Sequence, residues 1–331
     1  MENSHKIAMI GGGSWATALV KILCENNDKV GWWMRNEEAI QHIRLYGNNP
    51  NYLSSVDFDP DQLTLSSDIN AIVREHDVLV FAVPSAFLKK ALETLSEPLN
   101  DKIIVSAIKG IVPGENQIVG EYLHERFDLT YDNIAVVTGP CHAEEVALER
   151  LSYLTAASEN KSVAKMLKNQ LSCKYIKVTT SDDIIGSEYA AVMKNIIAIA
   201  AGICHALGYG DNFQAVLVVN AIKEMKRFIK NVYPNKRDIT DSAYLGDLLV
   251  TAYSQFSRNR TFGNMVGKGY SVRSAMLEMN MVAEGYYAVD CIKKMGKLHD
   301  VSMPICNMVY KVVYEGKSPR KQVAKLADKL K

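Results

Sequence analysis

The chain has 331 residues, about twice what a single core of ~150 residues serves, so two domains are expected. Apolar residues make up 48% and charged residues 23%, as in an ordinary globular protein. With 38 Lys+Arg against 37 Asp+Glu the net charge is +1, which argues against the broad basic face that nucleic acid or an anionic membrane surface demands.

The first half alternates short apolar runs with helical segments. KIAMI (6–10), KVGWWM (29–34), DVLVFAV (77–83), KIIVSAI (102–108) and NIAVVT (133–138) read as buried strands of a parallel sheet. SYLTAAS and KYIKVTT read as two further strands closing it. Strands alternating with helices predict a doubly wound α/β fold.

Between the first strand and the first helix stands IAMIGGGSWATAL, in which Gly11-x-Gly13-x-x-Ala16 fits the dinucleotide-binding pattern. Gly11 permits the tight turn, and Gly13 lets a diphosphate approach the backbone. The helix N-terminus beyond supplies N–H groups and partial positive charge. The second strand then ends in Met34-Arg35-Asn36, where an NAD-selective protein usually carries an acid. Arg35 is either a surface charge or a group that stacks on adenine or meets a 2′-phosphate; the second reading predicts acceptance of NADP(H) alongside NAD(H). Past two later strands lie Lys109, in VSAIKG, and Gly139, Cys141 and Ala143, in VVTGPCHAEEVA, at strand ends where open sheets bind ligands.

After TTSDD the period becomes helical: Ile185, Tyr189, Met193, Ile196, Ala200, Ile203 and Leu207. The expected domains are 1–181, dinucleotide-binding, and 182–331, helical and substrate-binding. Within the first helix of the second domain, Lys194 has Ala190, Ala191, Ile197 and Ala198 at helical spacing, so no acid on its own helix neutralises it. It either snorkels to the surface or serves as a general acid/base of lowered pKa. Asp247, in AYLGDLLVTAY, is its counterpart on another apolar helix. In SRNRTFG (257–263), Arg258 and Arg260 are either solvated charges or a clamp for a small anion.

Six scattered cysteines (Cys24, Cys141, Cys173, Cys204, Cys291, Cys306) show no metal-ligand spacing, which predicts free thiols and no metal site. The N-terminus lacks a long apolar leader, and no uninterrupted apolar run reaches ~18 residues. A cytoplasmic protein without stable membrane insertion is therefore expected.

Taken together, GGGSWATAL, FAVPS, AIKG, TGPCHAEEVA, MKNIIAIAAGI, GDN, GDLLVTAYSQFSRNRTFG and MVAEG span nearly the whole chain. They resemble the bacterial NAD(P)-dependent sn-glycerol-3-phosphate dehydrogenases. The resemblance implies an N-terminal Rossmann-type domain and an all-helical C-terminal domain of the 6-phosphogluconate-dehydrogenase-like kind, usually dimeric. It implies reversible reduction of dihydroxyacetone phosphate to sn-glycerol 3-phosphate, for phospholipid synthesis. Lys194 would be the proton donor/acceptor, with Lys109 and Asp247 beside it. Substrate contacts would fall on Lys109, Gly139, Cys141, Lys194, Asp247, Ser257, Arg258 and Asn259. Cofactor contacts would fall on Gly11, Gly13, Ser14, Trp15, Arg35, Lys109, Ala143, Arg258, Val282 and Glu284. Arg258 would be the direct phosphate ligand, with Arg260 supporting. The chain departs from the family at Ala16, often Gly, and at Cys141, usually Ser or Thr. Two rivals are another reductase of the same fold group, which the phosphate clamp disfavours, and a cofactor-sensing protein, which Lys194, Asp247 and Arg258 disfavour.

Overall fold

The computed structural model describes residues 5–279 and 282–331, which form two compact units. One runs to Ile108 and resumes over Val119–Ile184, and the other joins Lys109–Ile118 to Ile185–Lys331.

The first unit is built on eight strands: β1 Ile7–Ile10, β2 Val30–Trp33, β3 Leu63–Ser66, β4 Val78–Phe81, β5 Ile103–Ser106, β8 Ile134–Thr138, β9 Ser152–Ala157 and β10 Ile176–Ser181. The remaining two, β6 Ile111–Val112 and β7 Gln117–Ile118, form a small antiparallel hairpin in the second unit. Every residue of β1, β2, β4 and β8 is buried, which explains their continuous apolar runs: both faces of the sheet are covered by helices.

The strand order is β10-β9-β8-β5-β4-β1-β2-β3. From β3 to β8 all pairings are parallel, in the 3-2-1-4-5-6 order of dinucleotide-binding sheets. The sequence shows the parallel character but not the reversal that follows. The β8–β9 pairing is antiparallel, and β9 and β10 run parallel to each other, so the sheet is mixed. The sequence also hides β3: LTLS is a four-residue edge strand whose faces alternate buried and half-buried, so it offers no apolar run. In this order the crossovers reverse direction at β1 and β4, and it is outside the carboxyl ends of strands at such a switch point that ligands bind.

Beyond Ile185 every described element is helical. The helix Ile184–Ala206 is apolar on all sides and 23 residues long. By length and composition it would suit a membrane, yet 89% of its most apolar window is buried within the protein. A helix that is hydrophobic all round is the mark of a core element. Its neighbours approach at glycines. A Cβ on Gly202 would lie 2.1 Å from the Arg260 carbonyl oxygen, one on Gly263 would lie 2.1 Å from that of Ile199, and one on Gly285 would lie 2.5 Å from that of Asn195. Helices Arg258–Gly267 and Glu284–Leu298 are thus seated directly on the backbone of the central helix. All six cysteines are free thiols.

Candidate active site

β1 leads through Gly11–Gly13 into the helix Ser14–Cys24. Gly11 has φ +139°, and a Cβ there would meet the Ala82 carbonyl group at 2.9 Å, so glycine alone lets the turn lie against the end of β4. A Cβ on Gly13 would meet nothing within 4 Å, which leaves a cradle beside the backbone that any side chain would fill. No side chain caps the helix at Gly13, so its first-turn N–H groups and positive end suit an anion. Ala16 is fully buried where the fingerprint needs close helix–strand packing. Ser14 is buried, and the Trp15 indole donates to the Ala107 carbonyl at 3.1 Å, just past β5. These residues fit a dinucleotide diphosphate.

Beyond β2, Arg35 is exposed, while Asn36 caps the helix Glu37–Tyr46 by accepting from the Ala39 N–H at 3.2 Å. The first carboxylate, Glu37, accepts from the Gln41 amide at 2.8 Å. Hydrogen bonds from Ser67 and Gln41 hold its carboxyl below the usual range. A cation, not an acid, is therefore the first charged side chain past the strand.

The second unit gathers three charged groups that lie far apart in sequence. Lys194, halfway along the central helix and 5% exposed, donates to Asp247 Oδ1. Lys109 Nζ lies 3.6 Å from Asp247 Oδ2. Asp247, 1% exposed, opens the helix Asp247–Tyr253 directly after a π-helical turn at Ser242–Gly246, a feature common at functional sites. Two ammonium groups thus share one buried carboxylate. Burial pushes the Lys194 ammonium down from the ordinary lysine value to about 7; Asp247 opposes the shift and Lys109 reinforces it. A lysine so poised exchanges its proton near neutrality.

Two residues that sequence reasoning missed complete the cluster. The Asn195 amide donates to the Lys109 carbonyl at 2.6 Å, fixing the backbone that carries Lys109. The Thr251 hydroxyl contacts the Asp247 carbonyl at 2.6 Å and carboxylate Oδ1 at 3.4 Å. Adjacency to Lys194 and four-residue spacing from Asp247 were the available signals, and neither distinguishes these residues from other helix neighbours.

Arg258 begins the helix Arg258–Gly267, capped by Ser257, whose hydroxyl accepts from the Arg260 N–H at 3.3 Å and keeps its own proton for donation. The Asn259 carbonyl oxygen accepts from the Gly285 N–H at 2.9 Å, tying this segment to the start of Glu284–Leu298. Glu284 is the first residue of that helix, and Val282 precedes it, half-buried. Backbone N–H groups at a helix start beside a guanidinium suit a phosphate. In the first unit, Gly139 has φ +118° and would press a Cβ against the Tyr153 carbonyl oxygen at 2.8 Å. Cys141 is buried, and Ala143 opens the helix Ala143–Ala147.

A cofactor cradle on a sheet of this order, carried by a chain that also holds a buried lysine of lowered pKa, defines an oxidoreductase of the dinucleotide-dependent class. Similarity to known proteins narrows the class. The model of the NAD-dependent glycerol-3-phosphate dehydrogenase N-terminus matches residues 6–164, and that of the C-terminus matches residues 183–324. A glycerol-3-phosphate dehydrogenase [NAD(P)+] of Oceanobacillus iheyensis is 35% identical, covering 98% of this chain and 94% of that protein. One from Staphylococcus aureus is 34% identical over 98% of both. The crystal structure of glycerol-3-phosphate dehydrogenase from Coxiella burnetii superposes with a TM-score of 0.90 at 28% identity, covering 98% of this chain and 99% of that one. The chain belongs to the NAD-dependent glycerol-3-phosphate dehydrogenase family.

Proposed function

We propose that the chain catalyses the reversible NAD(P)H-dependent reduction of dihydroxyacetone phosphate to sn-glycerol 3-phosphate. The observation that carries this reading is the Lys109–Asp247–Lys194 cluster around a buried carboxylate, with Lys194 poised near neutrality. Gly11, Gly13, Ser14 and Trp15 would hold the diphosphate end of the cofactor, and Arg35 the adenosine end. When bound, the reduced nicotinamide supplies the hydride to C2 of the ketone.

In the reductive direction Lys194 gives its proton to the alkoxide oxygen forming at C2, and Lys109 stabilises that oxygen's developing charge. In the oxidative direction the neutral Lys194 amine takes the proton from the C2 hydroxyl. Asp247 keeps both lysines in place and offsets part of their burial. Arg258 grips the substrate phosphate, helped by the N–H groups of its helix start and by Ser257. Asn259 positions the segment through Gly285. The family resemblance adds Gly139 and Cys141 as substrate contacts, and Ala143, Val282 and Glu284 as cofactor contacts. The family resemblance extends the reading to a cytoplasmic homodimer that feeds glycerophospholipid synthesis.

The test is initial-rate measurement with NADPH and with NADH on dihydroxyacetone phosphate, unphosphorylated dihydroxyacetone and a 2-keto acid. Turnover confined to the phosphorylated ketone is expected. Equal or faster reduction of the keto acid would overturn the reading in favour of another reductase, and binding of NADPH without turnover would point to a sensor.

A further inference from the structure

The same glycines that admit a diphosphate leave Gly11–Gly13 with unusual conformational freedom, so something must hold the peptide planes in one orientation. The carbonyls of the turn are held from inside the protein. The Trp32 indole donates to the Gly11 carbonyl at 2.6 Å. Asn49, fully buried in the segment after the helix Glu37–Tyr46, donates to the Gly12 carbonyl at 3.2 Å and to the Thr17 hydroxyl oxygen at 2.8 Å. That hydroxyl in turn donates to the Gly13 carbonyl at 3.0 Å. The Asn49 carbonyl oxygen accepts from the Asn51 N–H at 3.0 Å, which fixes the amide's own orientation. In a trans peptide the C=O and the following N–H point opposite ways. Drawing the Gly12 carbonyl toward Asn49 therefore turns the Gly13 N–H away from it, and the hold on Gly13 does the same for the Ser14 N–H.

We propose that Asn49, acting directly on Gly12 and through Thr17 on Gly13, is a positioning residue for the cofactor diphosphate. Without it the Gly12–Gly13 peptide is free to flip and set a carbonyl oxygen, in place of an N–H, against a doubly charged phosphate bridge. The inference rests on the reading of this turn as the NAD(P)(H) site. The two donors of Asn49 and the relay through a hydroxyl make a small network in which each bond polarises the next. Nothing in the glycine fingerprint itself specifies the partner, which lies 36 residues beyond Gly13.

The experiment compares full-length wild type with Asn49→Ala, Thr17→Val and Thr17→Ser. Dissociation constants are measured for NADPH, ADP and adenosine, with the Michaelis constant for dihydroxyacetone phosphate and the thermal midpoint alongside. Asn49→Ala is expected to weaken NADPH and ADP about tenfold, or about 1.4 kcal/mol, while adenosine and the ketone's Michaelis constant stay within about twofold. Thr17→Val, which keeps the shape and loses the hydroxyl, is expected to show a smaller loss with the same pattern. Thr17→Ser, which keeps the hydroxyl, is expected to match wild type. A fold defect in Asn49→Ala leaves the decision to the near-isosteric Thr17 pair. NADPH and ADP affinities unchanged in both Asn49→Ala and Thr17→Val, or equal losses for ADP and adenosine, would overturn the proposal. Wild type that binds neither NADPH nor NADH would overturn the cofactor reading, and this inference with it.

Discussion

Replacing Asp247 by Asn removes the one carboxylate that Lys194 and Lys109 share while keeping the side chain's shape. At the 3.6 Å separating Lys109 Nζ from Asp247 Oδ2, and with an effective dielectric constant of about 20, the lost attraction is about 5 kcal/mol. That corresponds to about three to four pH units before any relaxation. Relaxation and the amide dipole return part of it, so a fall of one to three units in the Lys194 pKa is expected, from its wild-type value of about 7. In the proposed mechanism reduction needs the protonated amine. Wild-type kcat/KM for dihydroxyacetone phosphate should therefore decline as pH rises through about 7, and that of the variant should decline at lower pH. A drop of one unit leaves about a tenth of the lysine protonated at pH 7, and a drop of three about a thousandth, so the loss at neutrality is about fivefold to several-hundredfold. Oxidation of glycerol 3-phosphate, which in that mechanism needs the neutral amine, should keep its activity to lower pH. The assay is absorbance at the reduced nicotinamide band across pH 5–9 in both directions, with unfolding curves to establish that the variant is folded. Profiles whose midpoints coincide in variant and wild type would refute the coupling of Asp247 to the titrating group.

Three further outcomes follow from the same geometry. Arg258→Lys keeps the charge but not the planar fork, and should cost roughly 1.5–3 kcal/mol in kcat/KM for dihydroxyacetone phosphate with little change for unphosphorylated dihydroxyacetone; equal proportional losses would remove the arginine from the phosphate. Arg35→Asp should raise the preference for NADH over NADPH, read as the ratio of the two specificity constants, and an unmoved ratio would show that Arg35 does not meet the cofactor. Lys194→Met should be more stable than wild type at pH 6, with the advantage shrinking toward pH 10. The folded-state pKa lies below the unfolded one, so between about 7 and about 10.5 the unfolded chain binds a proton that the folded chain does not, and wild-type stability rises with pH. Urea unfolding at a series of pH values checks this, and a pH-independent difference would contradict the buried, deprotonating lysine.

The strands, the glycine turn and the central helix were legible in the sequence because each carries a local period or a fixed spacing. So was the oddity of Lys194 and Asp247, since two charges on apolar helices announce themselves by the absence of local partners. Their pairing was an invitation only; packing, not spacing, delivers it. Asn195, Thr251 and Asn49 escaped notice for a related reason. Each is a polar residue whose partner is a backbone carbonyl or a hydroxyl elsewhere in the fold, and a polar side chain that satisfies the backbone looks in sequence like any solvated one. The edge strand β3 and the reversal at β9 were hidden because a four-residue alternation and a change of direction leave no compositional trace.

The assignment of Lys109–Ile118 to the helical unit has a consequence for how the chain can be cut. The backbone passes from one unit to the other three times, after Ile108, Ile118 and Ile184, so neither unit is a single stretch of sequence. A gene fragment starting at residue 182 would encode Lys194, Asp247 and Arg258 yet lack Lys109 and the hairpin behind it. A protease nick near Ile184 would likewise separate the two lysines covalently. In evolutionary terms, exchanging the cofactor-binding half of this protein by simple recombination at the visible midpoint would bring a new Lys109 along with it. Lysine and carboxylate would then arrive from different parents, so the two halves are constrained to change together.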